Sequence, residues 1–226
     1  MSEPAPSAPS ITRQFAVPAA IAVVLACLAL WQDRLSLGIL VFLLMTLGWL
    51  LIRILITDAT ALPVASSVGG RREAFLIQGV GVGMMYLPAI AIATPLLDVA
   101  GFNLPWGAHA LGVGLALPGL WLFWRSHADL GTYWSPALEL REGHQLVTHG
   151  VYARIRHPMY AALFLITAAQ ACFLGNWIAG PSGFIAFGAL YLLRIDYEEQ
   201  MMAEAFASDW SAYSARTGRL LPSTQG

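Results

Sequence analysis

Apolar residues run almost unbroken over 15–31, 36–56, 75–97 and 107–124. Each run is close to the roughly 20 residues a helix needs to cross a hydrocarbon core about 30 Å thick. The pattern therefore predicts four membrane-spanning helices. A fifth run covers 158–174 and a shorter sixth covers 181–193, with the turn-forming stretch from Gly175 to Pro181 between them. These last two read as a tight or partly re-entrant hairpin, in which 181–193 crosses fully or only in part. Ser2 to Ser10 alternates Pro, Ala and Ser, a composition without the apolar surface to form a core. The expected fold is thus an all-α integral membrane bundle of five to six transmembrane helices. A disordered tail at 1–12 precedes a four-helix region at 13–124 and a more polar region at 125–222. Val24-Leu25-Ala26-Cys27 imitates a lipoprotein cleavage site, but the weakly charged start and the spans that follow at once favour a first membrane helix.

Composition agrees with a membrane protein: of 226 residues, 58% are hydrophobic and 11% charged, against roughly 25% charged in soluble domains. Net charge is −1, and the aromatics lie in apolar runs rather than between basic residues, which argues against nucleic-acid binding. The two cysteines, Cys27 and Cys172, fall in apolar stretches and supply neither a disulfide framework nor a thiolate zinc site. All twelve basic residues are arginine, so lysine Schiff-base chemistry is excluded. Arginine placement orients the chain: six crossings starting inside put eleven of the twelve on the cytoplasmic side and leave Arg34 outside. Both termini are then cytoplasmic. The absence of lysine and the abundance of alanine suggest a bacterial inner membrane.

Polar residues concentrate at 125–157 and 194–222. The first stretch holds four of the five histidines, His127, His144, His149 and His157, which a solvated loop flanked by snorkelling arginines would also explain. The histidines lack the i,i+4 spacing of a zincin, so no metal is expected. Ser126 and Ser135 have no glycine elbow, and no glycine-rich phosphate cradle follows a strand. In the second stretch Met202, Phe206, Trp210 and Tyr213 repeat at helical spacing, most simply as a packing face. Arg194 and Glu198 share a helix face, but with the base N-terminal to the acid, the less favourable order for helix support. Asp196, Glu198 and Glu199 beside a membrane need water or a cation; a sulfonium would serve, as would a solvated helix end.

The ordered set His144-Gln145-Leu146-Val147-Thr148-His149-Gly150-Val151-Tyr152, Arg156-His157-Pro158-Met159-Tyr160, Arg194 with Glu198-Glu199, Tyr213, and Arg219-Leu220-Leu221-Pro222 resembles the isoprenylcysteine carboxyl methyltransferase family. That family shares its C-terminal signature with phospholipid N-methyltransferases. The resemblance covers roughly 125–222. It implies S-adenosyl-L-methionine as donor, with S-adenosyl-L-homocysteine as product, in a cytoplasmic pocket formed by the C-terminal half. It implies that His144, Gln145, Leu146, Val147, Tyr152, His157, Pro158, Met159, Tyr160 and Glu198 bind the cofactor, that Arg194 faces the acceptor, and that Glu199 supports them. A lipophilic small-molecule or lipid acceptor would enter from the bilayer between helices. The sequence departs from the commonest pattern at Ala207-Ser208, where a glycine often follows the Phe. Methyl transfer from a sulfonium needs alignment and dryness rather than a covalent nucleophile. A guanidinium at Arg194 is suited to hold a carboxylate acceptor in two-point contact. A phospholipid-amine or small-thiol acceptor, a sterol-type NADPH-dependent membrane reductase and a non-catalytic membrane partner are the alternatives.

Overall fold

A computed structural model describes residues 34–56, 64–68, 70–133, 138–141 and 145–223, with Gly143 and scattered positions between 20 and 32. The N-terminal tail, most of the 15–31 run and His144 lie outside the described residues. Among the residues described from 34 onward, five helices form the body. They are α1 (Leu37–Ile56), α2 (Gly70–Ala93), α3 (Trp106–Leu130), α4 (Pro158–Phe173) and α5 (Ser182–Arg216). The first three are long and apolar enough to cross a membrane, α3 together with the 3-10 turn that extends it to Tyr133, whereas α4 has only 16 residues.

Two boundaries differ from the sequence reading. The run assigned to 75–97 begins at Gly70, taking Arg71, Arg72 and Glu73 into its first turn, and ends at Ala93. There Thr94 accepts from the Leu96 amide and Pro95 opens a 3-10 turn. The polar stretch assigned to start at 125 is still helix to Leu130, so His127 and Asp129 stand on α3 rather than in a loop.

Small residues set the helix spacing, as they do where lipid gives no hydrophobic drive for association. Gly112 and Gly119 bring α3 against α4; a Cβ at Gly112 would lie 2.5 Å from the Phe173 ring. Phe42, Phe123, Ile166 and Phe173 fill the resulting core. A π-helical turn at Val82–Tyr86 interrupts α2 and leaves the Gly83 carbonyl to accept from Gln170 Nε2 at 3.0 Å and Ser182 Oγ at 2.6 Å. The two side chains satisfy a carbonyl that the bilayer cannot. At the same end, Asn176 donates to Leu97 O and accepts the Ile178 and Ala179 amides, so the turn between α4 and α5 docks on the 95–102 segment. Arg34 pairs with Asp98 nearby, and so the one arginine assigned to the outside has a carboxylate there.

At the opposite end, strands β1 (Val64–Val68) and β2 (Leu138–Arg141) pair antiparallel, with Val68 opposite Leu138 and Val64 opposite Arg141. The sequence pattern left both segments as loop. The ribbon places the α1–α2 and α3–α4 connections on one side and ties the N-terminal half to the C-terminal half.

Candidate functional site

The His157-Pro158 junction starts the site. Pro158 sits at the first position of α4, where its missing N–H costs nothing. The residues before it are held by the segment after α5: the Arg156 amide donates to Gly218 O at 2.8 Å and the His157 amide to Arg219 O at 3.0 Å. The Arg156 guanidinium reaches the same segment, donating to Ser214 O at 2.7 Å and to Thr217 O. It thus caps the last carbonyls of α5. Upstream, the 3-10 turn Gly150–Ala153 is docked on α3 by Asp129, which accepts the Val151 amide at 2.9 Å and pairs with Arg125 at 2.5 Å. Tyr213 Oη donates to Tyr152 O at 2.7 Å and closes the cage from the other side.

The adjacent acids of α5 diverge because one helical step turns a side chain by about 100°. Glu199 faces the cations: Arg156 Nε at 3.1 Å, Arg219 Nη2 at 2.7 Å and His157 Nε2 at 3.1 Å. Glu198 turns to the cavity and accepts from Tyr160 Oη at 2.6 Å, with His157 Nδ1 at 3.6 Å and Arg194 Nε at 3.5 Å. The His157 ring therefore lies between two carboxylates, one at each nitrogen. Burial works against its protonation, but the hydrogen bonds and charges of Glu198 and Glu199 outweigh it and raise the pKa. The reciprocal effect holds both acids down. Burial pushes each up, while His157, with Arg194 and Tyr160 for Glu198 and with Arg219 and Arg156 for Glu199, brings each to about 2. Burial pushes Tyr152 up, so it stays a neutral phenol.

These groups border a cavity of about 270 Å³. Of the residues the resemblance implied, Leu146, Val147, Tyr152, His157, Pro158, Met159, Tyr160, Arg194 and Glu198 line it. Gln145 is exposed and outside the lining, and Glu199 stands behind it, bound to cations. The wall combines charge with apolar surface. Arg53, Arg156, His157, Arg194 and Glu198 bring charged or ionisable groups to it, and Ile77, Val80, Phe123, Leu163, Phe187 and Leu190 bring apolar surface.

Several lining residues escaped the sequence reading. The stripe read as a packing face supplies Met202, Trp210 and Tyr213 to the cavity wall. Met202 precedes, and Trp210 and Tyr213 follow, a break in α5 at Ala207, where φ is 42° and ψ −110°. Arg53 of α1 also lines the cavity, with Nη1 3.1 Å from His127 Nε2. His127 Nδ1 faces Phe123 O at 2.9 Å, which makes Nδ1 the protonated nitrogen and Nε2 the acceptor. An arginine inside an apolar span was the signal for it. Glu73, 3.0 Å from Arg194 Nη1, was missed because it stands beside Arg71 and Arg72, in what reads as a headgroup anchor. Among the described residues no three His, Cys, Asp or Glu side chains are grouped to hold a metal.

Residues 112–204 match the model of the isoprenylcysteine carboxyl methyltransferase (ICMT) family. A protein-S-isoprenylcysteine O-methyltransferase of Tribolium castaneum is 33% identical over 88 residues, covering 39% of this chain and 31% of its own length. The Homo sapiens protein of that name is 32% identical over 88 residues with the same shares. The Arabidopsis thaliana protein-S-isoprenylcysteine O-methyltransferase B is 23% identical over 140 residues, 61% of this chain and 71% of that one. The match thus spans about a third of the length of the insect and human relatives. The solved structure of the eukaryotic intramembrane Ras methyltransferase ICMT aligns over 97% of this chain and 88% of its own, at 20% identity and a TM-score of 0.45. The matched residues 112–204 run from α3 to α5 and carry His157, Arg194, Glu198 and Glu199, so the part of this chain that is similar to the isoprenylcysteine carboxyl methyltransferase family is the part that supplies most of the cavity's charged side chains.

Proposed function

We propose that this chain is an integral membrane methyltransferase that uses S-adenosyl-L-methionine to methylate a lipophilic carboxylate of the isoprenylcysteine kind. The observation that carries the reading is the cavity's mixed lining: one space is bordered both by paired charges and by aliphatic and aromatic side chains. A charged, water-soluble donor and a greasy acceptor need walls of these two kinds in contact. The residues present fit the donor. Glu198 offers a carboxylate held ionised, suited to an ammonium or to ribose hydroxyls, and Leu146, Val147 and Trp210 offer apolar and aromatic surface for an adenine.

The donor, when bound, supplies an electrophilic methyl group on a sulfonium. The chain's own residues orient and desolvate. His157, as an imidazolium between two carboxylates, keeps Glu198 aimed into the cavity, and Glu199 with Arg156 and Arg219 braces the histidine from behind. The fork of Arg194 presents several donors in one plane, suited to hold the acceptor carboxylate in two-point contact with an oxygen toward the methyl group. No proton need move during attack by a carboxylate, which agrees with a site whose acids are ionised and whose tyrosines are neutral. Positioning of this kind supplies up to roughly 7–11 kcal/mol.

The test is transfer of tritium from labelled S-adenosyl-L-methionine to prenylcysteine analogues, amines, thiols and lipid extracts by the purified protein. Base-labile label on the prenylcysteine carboxylate supports the reading. Label confined to amines or thiols, or thermal stabilisation by NADPH and not by S-adenosyl-L-homocysteine, refutes it.

A further inference from the structure

Glu73 stands in the first turn of α2, a helix whose course beyond it to Ala93 carries no charge. Its side chain is 9% exposed, and its Oε1 lies 3.0 Å from Nη1 of Arg194, itself 11% exposed. A carboxylate removed from water at a membrane edge is costly without a cation. Here that cation belongs to the cavity wall. Arg194 turns its Nε to Glu198, and Glu198 accepts from Tyr160, so one polar chain runs from α2 through α5 to α4. Arg194, Glu198 and Tyr160 line the cavity; Glu73 does not, and approaches the guanidinium from outside the lining.

The backbone under Glu73 is fixed independently of that contact. Gly83 lies so near α5 that a Cβ there would come within 2.4 Å of Ser182 O, and Arg72 Nη2 donates to Leu193 O at 3.3 Å. The carboxylate is thus delivered to Arg194 by helix packing. Glu73 lies outside the family-matched residues 112–204.

We propose that Glu73 is a positioning residue for methyl transfer: by holding Nη1 it fixes the plane in which Arg194 meets the acceptor. The inference rests on the reading of Arg194 as the acceptor clamp. A lone guanidinium on a long side chain samples many rotamers, and two carboxylates at different edges of the fork leave it one.

The full-length protein in detergent tests this with Glu73→Gln, Glu73→Asp, Arg194→Lys and the Glu73→Gln/Arg194→Lys double variant. Three quantities are measured: methyl transfer to a farnesylcysteine analogue, S-adenosyl-L-homocysteine affinity by calorimetry, and melting temperature. Glu73→Gln is expected to lose about tenfold or more in kcat while donor-site affinity stays within about twofold, and Glu73→Asp to recover part of the loss. In the Arg194→Lys background the same change costs less than about threefold, because the group being positioned is already gone. Wild-type kcat in folded Glu73→Gln, or an equal loss in both backgrounds, overturns the proposal. If Glu73→Gln is not recovered folded, Glu73→Asp decides alone: reduced kcat at unchanged affinity supports the role, and unchanged kcat overturns it. If the wild-type protein methylates no carboxylate, the functional reading fails by itself. The pairing is then judged from melting temperatures, where losses smaller than the sum of the single variants support it and additive losses overturn it.

Discussion

Glu198 and Arg194 separate donor binding from acceptor binding. Replacing a carboxylate that pairs with a charged ligand group costs about 1.5–3 kcal/mol. Glu198→Gln is therefore expected to weaken S-adenosyl-L-homocysteine binding roughly tenfold to over a hundredfold by calorimetry. Arg194→Lys keeps a positive charge but not the planar fork. Donor affinity should survive it, while turnover with a carboxylate acceptor falls; full activity would dismiss the clamp. The His157 cluster adds a pH dependence of stability. Glu198 and Glu199 are depressed from 4.5 to about 2, so their contribution is complete above 4.5 and lost as pH falls toward 2. His157 is raised above 6.5, so its contribution is complete below 6.5 and lost as pH rises through its higher folded value. The melting temperature should thus be highest between about pH 4.5 and 6.5. His157→Gln should flatten the alkaline limb and Glu199→Gln the acid limb; limbs unchanged by either substitution would remove the cluster from the stability balance.

Two elements depend on backbone conformations that a side chain resists. Gly150 has φ +58°, and a Cβ there would lie 2.1 Å from Asp129 Oδ2, the atom that accepts the Val151 amide. Gly150→Ala should destabilise the protein by about 2 kcal/mol or more and loosen the turn that carries Tyr152 into the cavity. Ala207 presents the converse case, with φ 42° at the break in α5 and a methyl group where none is comfortable. Ala207→Gly should relieve about 1 kcal/mol and raise the melting temperature. Both changes are read by thermal unfolding in detergent, and a Gly150→Ala protein of unaltered stability would contradict the docking described for that turn.

At the scale of the whole molecule the β1–β2 ribbon puts the site and the interhelix connections on one side, and the Arg34–Asp98 pair marks the other. Arginine asymmetry predicts that the ribbon side faces the cytoplasm. In a background with Cys27 and Cys172 replaced by serine, a thiol introduced at Asn103 should react with an impermeant reagent in intact cells. One introduced at Ser67 should stay protected until the membrane is opened. Labelling of Ser67→Cys in intact cells would invert the assignment.

What the sequence determined by itself was local. Apolar run length and the scarcity of charge are enough to specify membrane helices, because in a bilayer backbone hydrogen bonds must be satisfied within the segment. The ordered His157, Arg194 and Glu198 signature was legible because His157 directly precedes the proline that opens α4, and Arg194 and Glu198 lie one turn apart on α5. Tertiary structure decided which of two adjacent acids faces the cavity, since only the packing of α5 against the 217–219 segment turns Glu199 to Arg156 and Arg219 and leaves Glu198 to Tyr160. It likewise decided that Glu73 and Arg53, neither of which the sequence reading singled out as a site residue, belong beside the site. Their partners Arg194 and His127 lie 121 and 74 residues away, and no periodicity along the chain encodes a pairing made by helices that meet only after folding.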